Sequence, residues 1–213
     1  MLPTHALAGT ALALPLVAVS PTYAAVGALA GFVGGAFPDL DMYASHRKTL
    51  HFPVYASILA VLMALVAMAS TSTATVAAAF FLMAAALHAV TDVFGCGIEV
   101  RPWEETSERA VYDHYHGRWR SPQRLVGYDG SPGDLFLAAL LSLPLLFVLE
   151  GFLQGLVIVA VAVATVYAVC RRRLADVAVV AAGSLPSWTI PYVPSQLHDE
   201  LATMAVRDGR SNR

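Results

Sequence analysis

Residues 75–94 read TVAAAFFLMAAALHAVTDVF. As a helix, a stretch of this length can cross roughly 30 Å of hydrocarbon. It carries no formal charge until Asp92, and its other titratable group, His88, lies one turn earlier. Further apolar runs at 6–19, 24–37, 52–69, 134–149 and 152–170 repeat the pattern. They pair as hairpins around Ser20-Pro21-Thr22-Tyr23, Ser70-Thr71-Ser72-Thr73-Ala74 and Glu150-Gly151. The first two runs are lean, and Pro15 interrupts the first. A last stretch, 174–193, contains Pro186 and Pro191 and reads either as a seventh, broken span or as an interfacial segment. The expected fold is therefore all-α, a polytopic helical membrane protein of about six transmembrane helices plus a broken C-terminal apolar segment. One domain over 1–195, with an interfacial loop at 95–133, precedes a polar tail at 196–213.

Composition agrees with lipid as the solvent. The chain is 57% hydrophobic and 13% charged, about half the charge of an average soluble domain, and its mean hydropathy is +0.63. So much apolar surface excludes a disordered chain. With 13 Lys+Arg against 15 Asp+Glu the formal charge is −2, which leaves no basic surplus for phosphate backbones and argues against nucleic acid as a partner. Cys96 and Cys170 are too few for a disulfide scaffold.

The sparse charge is sorted by side. Arg47 and Lys48, then Arg101, Arg109, Arg118, Arg120 and Arg124, then Arg171, Arg172 and Arg173 make ten of the thirteen basic residues. In the six-span topology all ten fall at one membrane face, where the positive-inside rule places the cytoplasm. The expected location is thus the inner, cytoplasmic membrane, with lipids as partners. A secretory signal peptide is the alternative for the first twenty residues, and it would need Lys or Arg ahead of the first run, where none stands.

Ionisable residues inside membrane helices are costly and commonly functional, and here they converge. His5, Asp39, Asp41, His46, His51, His88 and Asp92 all come to the same face by a topology that used only apolar runs and Lys/Arg. His88 and Asp92, i and i+4, share one helix face. Mixed imidazole and carboxylate donors suit zinc or a similar divalent ion and leave room for water. Each feature has a plainer reading. His5 alone would be an interfacial polar residue, an HxxxD pair a helix-surface hydrogen bond, and Asp39 with Asp41 a turn after Pro38. Seven such groups at neighbouring helix ends would be an expensive arrangement without a ligand. His114 and His116 read as solvated loop residues, and Asp129 and Asp134 as a turn and an N-cap.

Thr4-His5 with Gly9, Gly34-Gly35-Ala36-Phe37-Pro38-Asp39-Leu40-Asp41, His46-Arg47-Lys48-Thr49-Leu50-His51 and His88-Ala89-Val90-Thr91-Asp92 together resemble the membrane-bound metal-dependent hydrolase family (YdjM-like, also labelled LexA-binding, inner-membrane-associated). The likeness covers roughly residues 1–105. It implies a metal-hydrolase site with His5, Asp39, Asp41, His51, His88 and Asp92 as ligands. Lys48 stands where members typically show Gly, and no residue supports a LexA contact. The same order of ligands looks, more loosely, like part of the series in zinc-dependent phospholipase C, whose later histidines are not evident here.

The expected chemistry is hydrolysis by metal-activated water, with His46 or a free Asp as general base and Arg47 or Lys48 holding a phosphate, the substrate being a phosphoester with a lipid headgroup as one form. The competing classes are a metal-ion or proton-coupled transporter and a non-catalytic membrane protein whose metal pins helix ends.

Overall fold

In the computed structural model, which describes residues 1–194, 196–198 and 200–202, helix accounts for 71% of the chain and strand for 3%. Most of the polar tail expected at 196–213 lies outside the described residues. The first apolar run forms α1 (Leu2–Ala11) and α2 (Leu14–Val19). The break between them follows from Pro15, which has no N–H and whose ring opposes the carbonyl four residues back, that of Ala11. Next come α3 (Pro21–Ala36), a 3-10 extension (Phe37–Tyr43), α4 (Pro53–Ala69) and α5 (Thr73–Thr91). A capping box between Ser72 and Thr75 starts α5, satisfying two of the orphan N–H groups of its first turn.

Among the described residues, four segments are long and apolar enough to cross a membrane: Leu2–Val19, Pro21–Met42, Thr73–Phe94 and Gly151–Gly183. Two apolar helices, α4 and α6 (Pro132–Val148), are shorter. The packing is that of a membrane bundle. Large apolar side chains such as Met68, Phe147 and Phe152 face outward, while the shared interior of α1, α3, α6 and α7 (Gly151–Gly183) is built from Leu7, Ala13, Ala28, Ala138, Leu145, Val157, Ala160 and Ala164. With lipid on the outside no hydrophobic force separates the two faces, so small residues that let backbones approach decide the contacts. A Cβ added to Gly9 would sit 2.1 Å from the Gly31 carbonyl oxygen, so α1 and α3 touch backbone to backbone.

The C-terminal half departs from expectation. The runs 152–170 and 174–193 are not separate elements, because α7 continues unbroken through Arg171, Arg172 and Arg173 to Gly183, and a 3-10 turn at Ser187–Tyr192 follows. Arginine is a good helix former, and neither Gly nor Pro interrupts the sequence between Gly155 and Gly183. At 33 residues α7 is about 50 Å long, well beyond the hydrocarbon thickness. The loop 95–133 is also not purely irregular. It holds an antiparallel hairpin of β1 (Val111–Asp113) and β2 (Arg118–Arg120). The N-cap of α6 is Ser131, whose side chain accepts from the Asp134 N–H. Asp134 does not cap; its carboxylate accepts from the Gly130 N–H at 2.8 Å and from the Thr4 hydroxyl at 2.5 Å, tying α6 to α1.

Candidate metal centre

Four elements deliver the site. α1 supplies His5, the 3-10 extension Asp39 and Asp41, the loop before α4 His46, Arg47 and His51, and the end of α5 His88 and Asp92. Asp39, His51, His88 and Asp92 each bring one donor atom to a common point, all within 4.8 Å of one another. The Nε2 of His51 is 3.1 Å from Asp92 Oδ2 and 3.9 Å from Asp39 Oδ1, and the Nε2 of His88 is 3.6 Å and 3.4 Å from the same two oxygens. Donors about 2.0–2.2 Å from a tetrahedral ion stand about 3.3–3.6 Å apart. The measured separations bracket that value.

The hydrogen bonds around the cluster explain its orientation. The Nδ1 of His88 lies 2.5 Å from the Gly35 carbonyl oxygen, and the Nδ1 of His51 lies 3.0 Å from Asp41 Oδ2. A carbonyl can only accept, so His88 carries a proton on Nδ1, and the Asp41 carboxylate likewise draws a proton to Nδ1 of His51; in the neutral form each ring then presents a lone pair on Nε2. The Nε2 atoms of both rings and Oδ2 of Asp92 are buried without a hydrogen-bond partner. Unsatisfied buried polar atoms are uncommon and call for a cause. A cation among them supplies one, so the residues present fit a divalent ion.

Charge gives the same answer. Asp39 and Asp92 face a single nearby guanidinium, that of Arg47, whose Nε is 3.5 Å from Asp92 Oδ2 and whose Nη1 donates to the Cys96 carbonyl at 2.5 Å. Burial works against the charge on Arg47, and Asp92 more than offsets it, keeping the group protonated. For His51 burial again opposes the charge, while the carboxylates of Asp41 and Asp92 raise its pKa. The partly buried Asp39 and the buried Asp92 thus draw positive charge to this point, from Arg47, from a proton on His51 or from a divalent ion that would displace that proton.

Not every residue expected as a ligand occupies the same position. Asp41 is buried, but its oxygens are spent on His46 Nδ1 at 2.9 Å, the backbone N–H groups of Arg47 and Leu50, and His51. It orients the loop and the His51 ring. His5 lies beside the cluster, its ring centroid 3.9 Å from that of His88 with the planes tilted by 31°, its Nε2 3.7 Å from Asp92 Oδ1 and its Nδ1 unpartnered. His46 and Arg47 line the wall of a cavity of about 440 Å³ that also reaches Asp39. Asp39 is the exposed member of the four, its side chain 16% accessible against 2% or less for the others, so the cluster opens on that side.

His114 and His116 stand apart, in the hairpin. His114 Nε2 lies 2.7 Å from the Lys48 carbonyl and its ring stacks on Phe52, while the Tyr112 N–H donates to the Arg47 carbonyl. The hairpin thus braces the loop that carries His46, Arg47 and His51. No sequence pattern marks Tyr167, whose hydroxyl donates to Asp129 at 2.5 Å, or Glu99, which also lines the cavity. Arg171, read from the sequence only as a topology charge, pairs with the same Asp129 at 3.1 Å. No family model, curated protein or solved structure matches this chain.

Proposed function

We propose that this protein is a membrane-bound metal-dependent hydrolase of the YdjM-like kind, acting on a phosphoester at the cytoplasmic face of the inner membrane. The observation that carries the reading is the set of open donor atoms, His51 Nε2, His88 Nε2 and Asp92 Oδ2, buried without partners beside Asp39 and next to a cavity with a guanidinium in its wall. The donor set, two imidazoles and two carboxylates, suits zinc.

When bound, the ion supplies Lewis acidity and acidifies a water molecule. The chain's own residues do the rest. Asp39, His51, His88 and Asp92 would hold the ion, and His46, oriented through Nδ1 by Asp41, would serve as general base toward the attacking water. Arg47, fixed by the Cys96 carbonyl, steadies the phosphoryl oxygens. The four long helices and the two of 17 residues, each about 26 Å long, make six spans, the shorter two at the lower limit for crossing. The ten basic residues on the cluster's side support its cytoplasmic position.

Elemental analysis of the purified protein, followed by a panel of phosphodiester and carboxylester substrates with and without chelator, tests the reading. Bound zinc with chelator-sensitive phosphodiester turnover is expected. Stoichiometric metal with no turnover on any substrate would leave a structural ion and overturn the enzymatic reading.

A further inference from the structure

The cavity that meets Asp39, His46 and Arg47 extends well past them. Its volume of about 440 Å³ is that of a small-molecule site. One wall is a single stripe of α7: Val163, Tyr167, Arg171, Leu174 and Ala178 line it at helical spacing, over about 22 Å of helix. Pro194 and Leu197 also line the cavity, and the Arg101 to Glu200 ion pair ties their segment to the loop.

The polar groups on that stripe are already committed. The Tyr167 hydroxyl donates to Asp129, and Arg171 bonds Asp129 and the Val100 carbonyl. They therefore present to the cavity an aromatic ring and an aliphatic stem. Open polar chemistry lies at the Asp39, His46 and Arg47 end and at Glu99, whose carboxylate oxygens are buried without partners, while Leu2, Met42, Val163, Leu174, Ala178 and Leu197 offer hydrocarbon. A small water-soluble phosphoester would use the first end and leave the second wet. Val163 and Leu174 are about half exposed, on a helix apolar enough to cross a membrane, so the apolar wall is continuous with surface that lipid would cover.

We infer that the cavity binds an amphiphilic phosphoester, its phosphate against the metal cluster and Arg47 and one hydrocarbon chain along Val163, Leu174, Ala178 and Leu197. This substrate class rests on the hydrolytic reading above. The chain contacts are equal in ground and transition states, so they lower KM and leave kcat unchanged, by about fourfold per fully buried methylene.

Two diesters with the same leaving group, methyl p-nitrophenyl phosphate and octyl p-nitrophenyl phosphate, isolate the chain. With the zinc-loaded full chain in nanodiscs, the octyl ester is expected to show at least tenfold higher kcat/KM, through KM. Ala178→Trp, which fills the far end of the cavity, is expected to remove that preference and leave methyl ester turnover within twofold. Leu174→Ser, at a partly exposed position, gives the same test with less packing risk. Calorimetric binding of octyl phosphate against methyl phosphate to the metal-free protein supplies a readout without turnover, and the octyl advantage should vanish in Ala178→Trp. Equal kcat/KM for the two esters, with equal binding of the two phosphates, would overturn the chain site and leave hydrolysis standing. Octyl-selective binding with no hydrolysis of either ester would keep the site and overturn the hydrolytic reading.

Discussion

Two clusters in this molecule are made of the same kinds of residue and end in opposite states. In the hairpin, Asp113 accepts from the Tyr115 and His116 N–H groups at 3.1 Å, from His116 Nδ1 at 2.7 Å and from Arg120 Nε at 2.9 Å. Its carboxylate is saturated within ten residues of chain. In the bundle, Asp39, His51, His88 and Asp92 come from three separate elements and leave donors open. The saturated cluster is local and stabilises a turn. The open one is assembled over long sequence separations, and among the described residues three of its donor atoms have no hydrogen-bond partner. A buried polar group left unpaired costs about 1–3 kcal/mol, so an arrangement that leaves three of them together indicates a ligand, whereas the same residue types fully paired do not.

The comparison breaks most visibly at the open cluster. His88→Ala or Asp92→Ala should reduce bound metal and phosphodiester turnover to background, measured by elemental analysis and a chromogenic diester assay. Asp41→Asn keeps the shape of the residue that orients His51 and is expected to weaken metal affinity about 10- to 100-fold, measured by competition with a chelator. Acid should separate the two clusters by pH. Protons compete with the ion for imidazole, and Asp41 and Asp92 raise the His51 pKa above its ordinary value of about 6.5, so metal retention is expected to fall as pH drops through a range that starts above that value. Burial would raise the pKa of Asp113, but Arg120, the His116 N–H and the His116 ring outweigh it and hold the carboxyl at about 2. Its folded value lies below the unfolded one of about 3.9, so its stabilisation is complete above that pH and is lost only as pH falls toward 2. Hairpin amide exchange should therefore stay protected at a pH where metal has already left. The smallest effect is that of Asp113→Ala. Its partners Arg120 and His116 are more than a third exposed and screened by water, so it should cost about 1 kcal/mol and leave metal affinity within a few-fold, read by thermal unfolding and the same chelator competition.

The bundle and its site were legible to different depths. Long apolar runs mark helices because a membrane admits few other structures, and the i, i+4 pair His88 and Asp92 marks a shared face because helix geometry fixes it. The division of labour between Asp39 and Asp41 was not readable. Two residues apart in a 3-10 turn, they differ only in which one the His46–His51 loop folds over, and that is a tertiary fact. The continuity of α7 was missed for a related reason. A run of arginines ends an apolar stretch without ending a helix, and here Arg171 and Arg172 lie over the Trp103 ring at 5.5 and 5.3 Å. The hairpin strands, three residues each, are too short to show alternation, and Asp129 became more than a turn residue only once α7 brought Tyr167 and Arg171 to it.

The contact between α1 and α3, where Gly9 and Gly31 meet without side chains between them, also limits traffic. Gly35 closes the same seam further along, since a Cβ there would lie 2.3 Å from the His5 carbonyl oxygen. Neither an ion nor an organic molecule can pass between those two helices. A cavity beneath α7 reaches Asp39 and Arg47. On the hydrolytic reading, an ion and a substrate that both enter there share a doorway, and the metal has to arrive first. A bound amphiphile acts as a stopper, and a chelator added afterwards has to wait for it to leave.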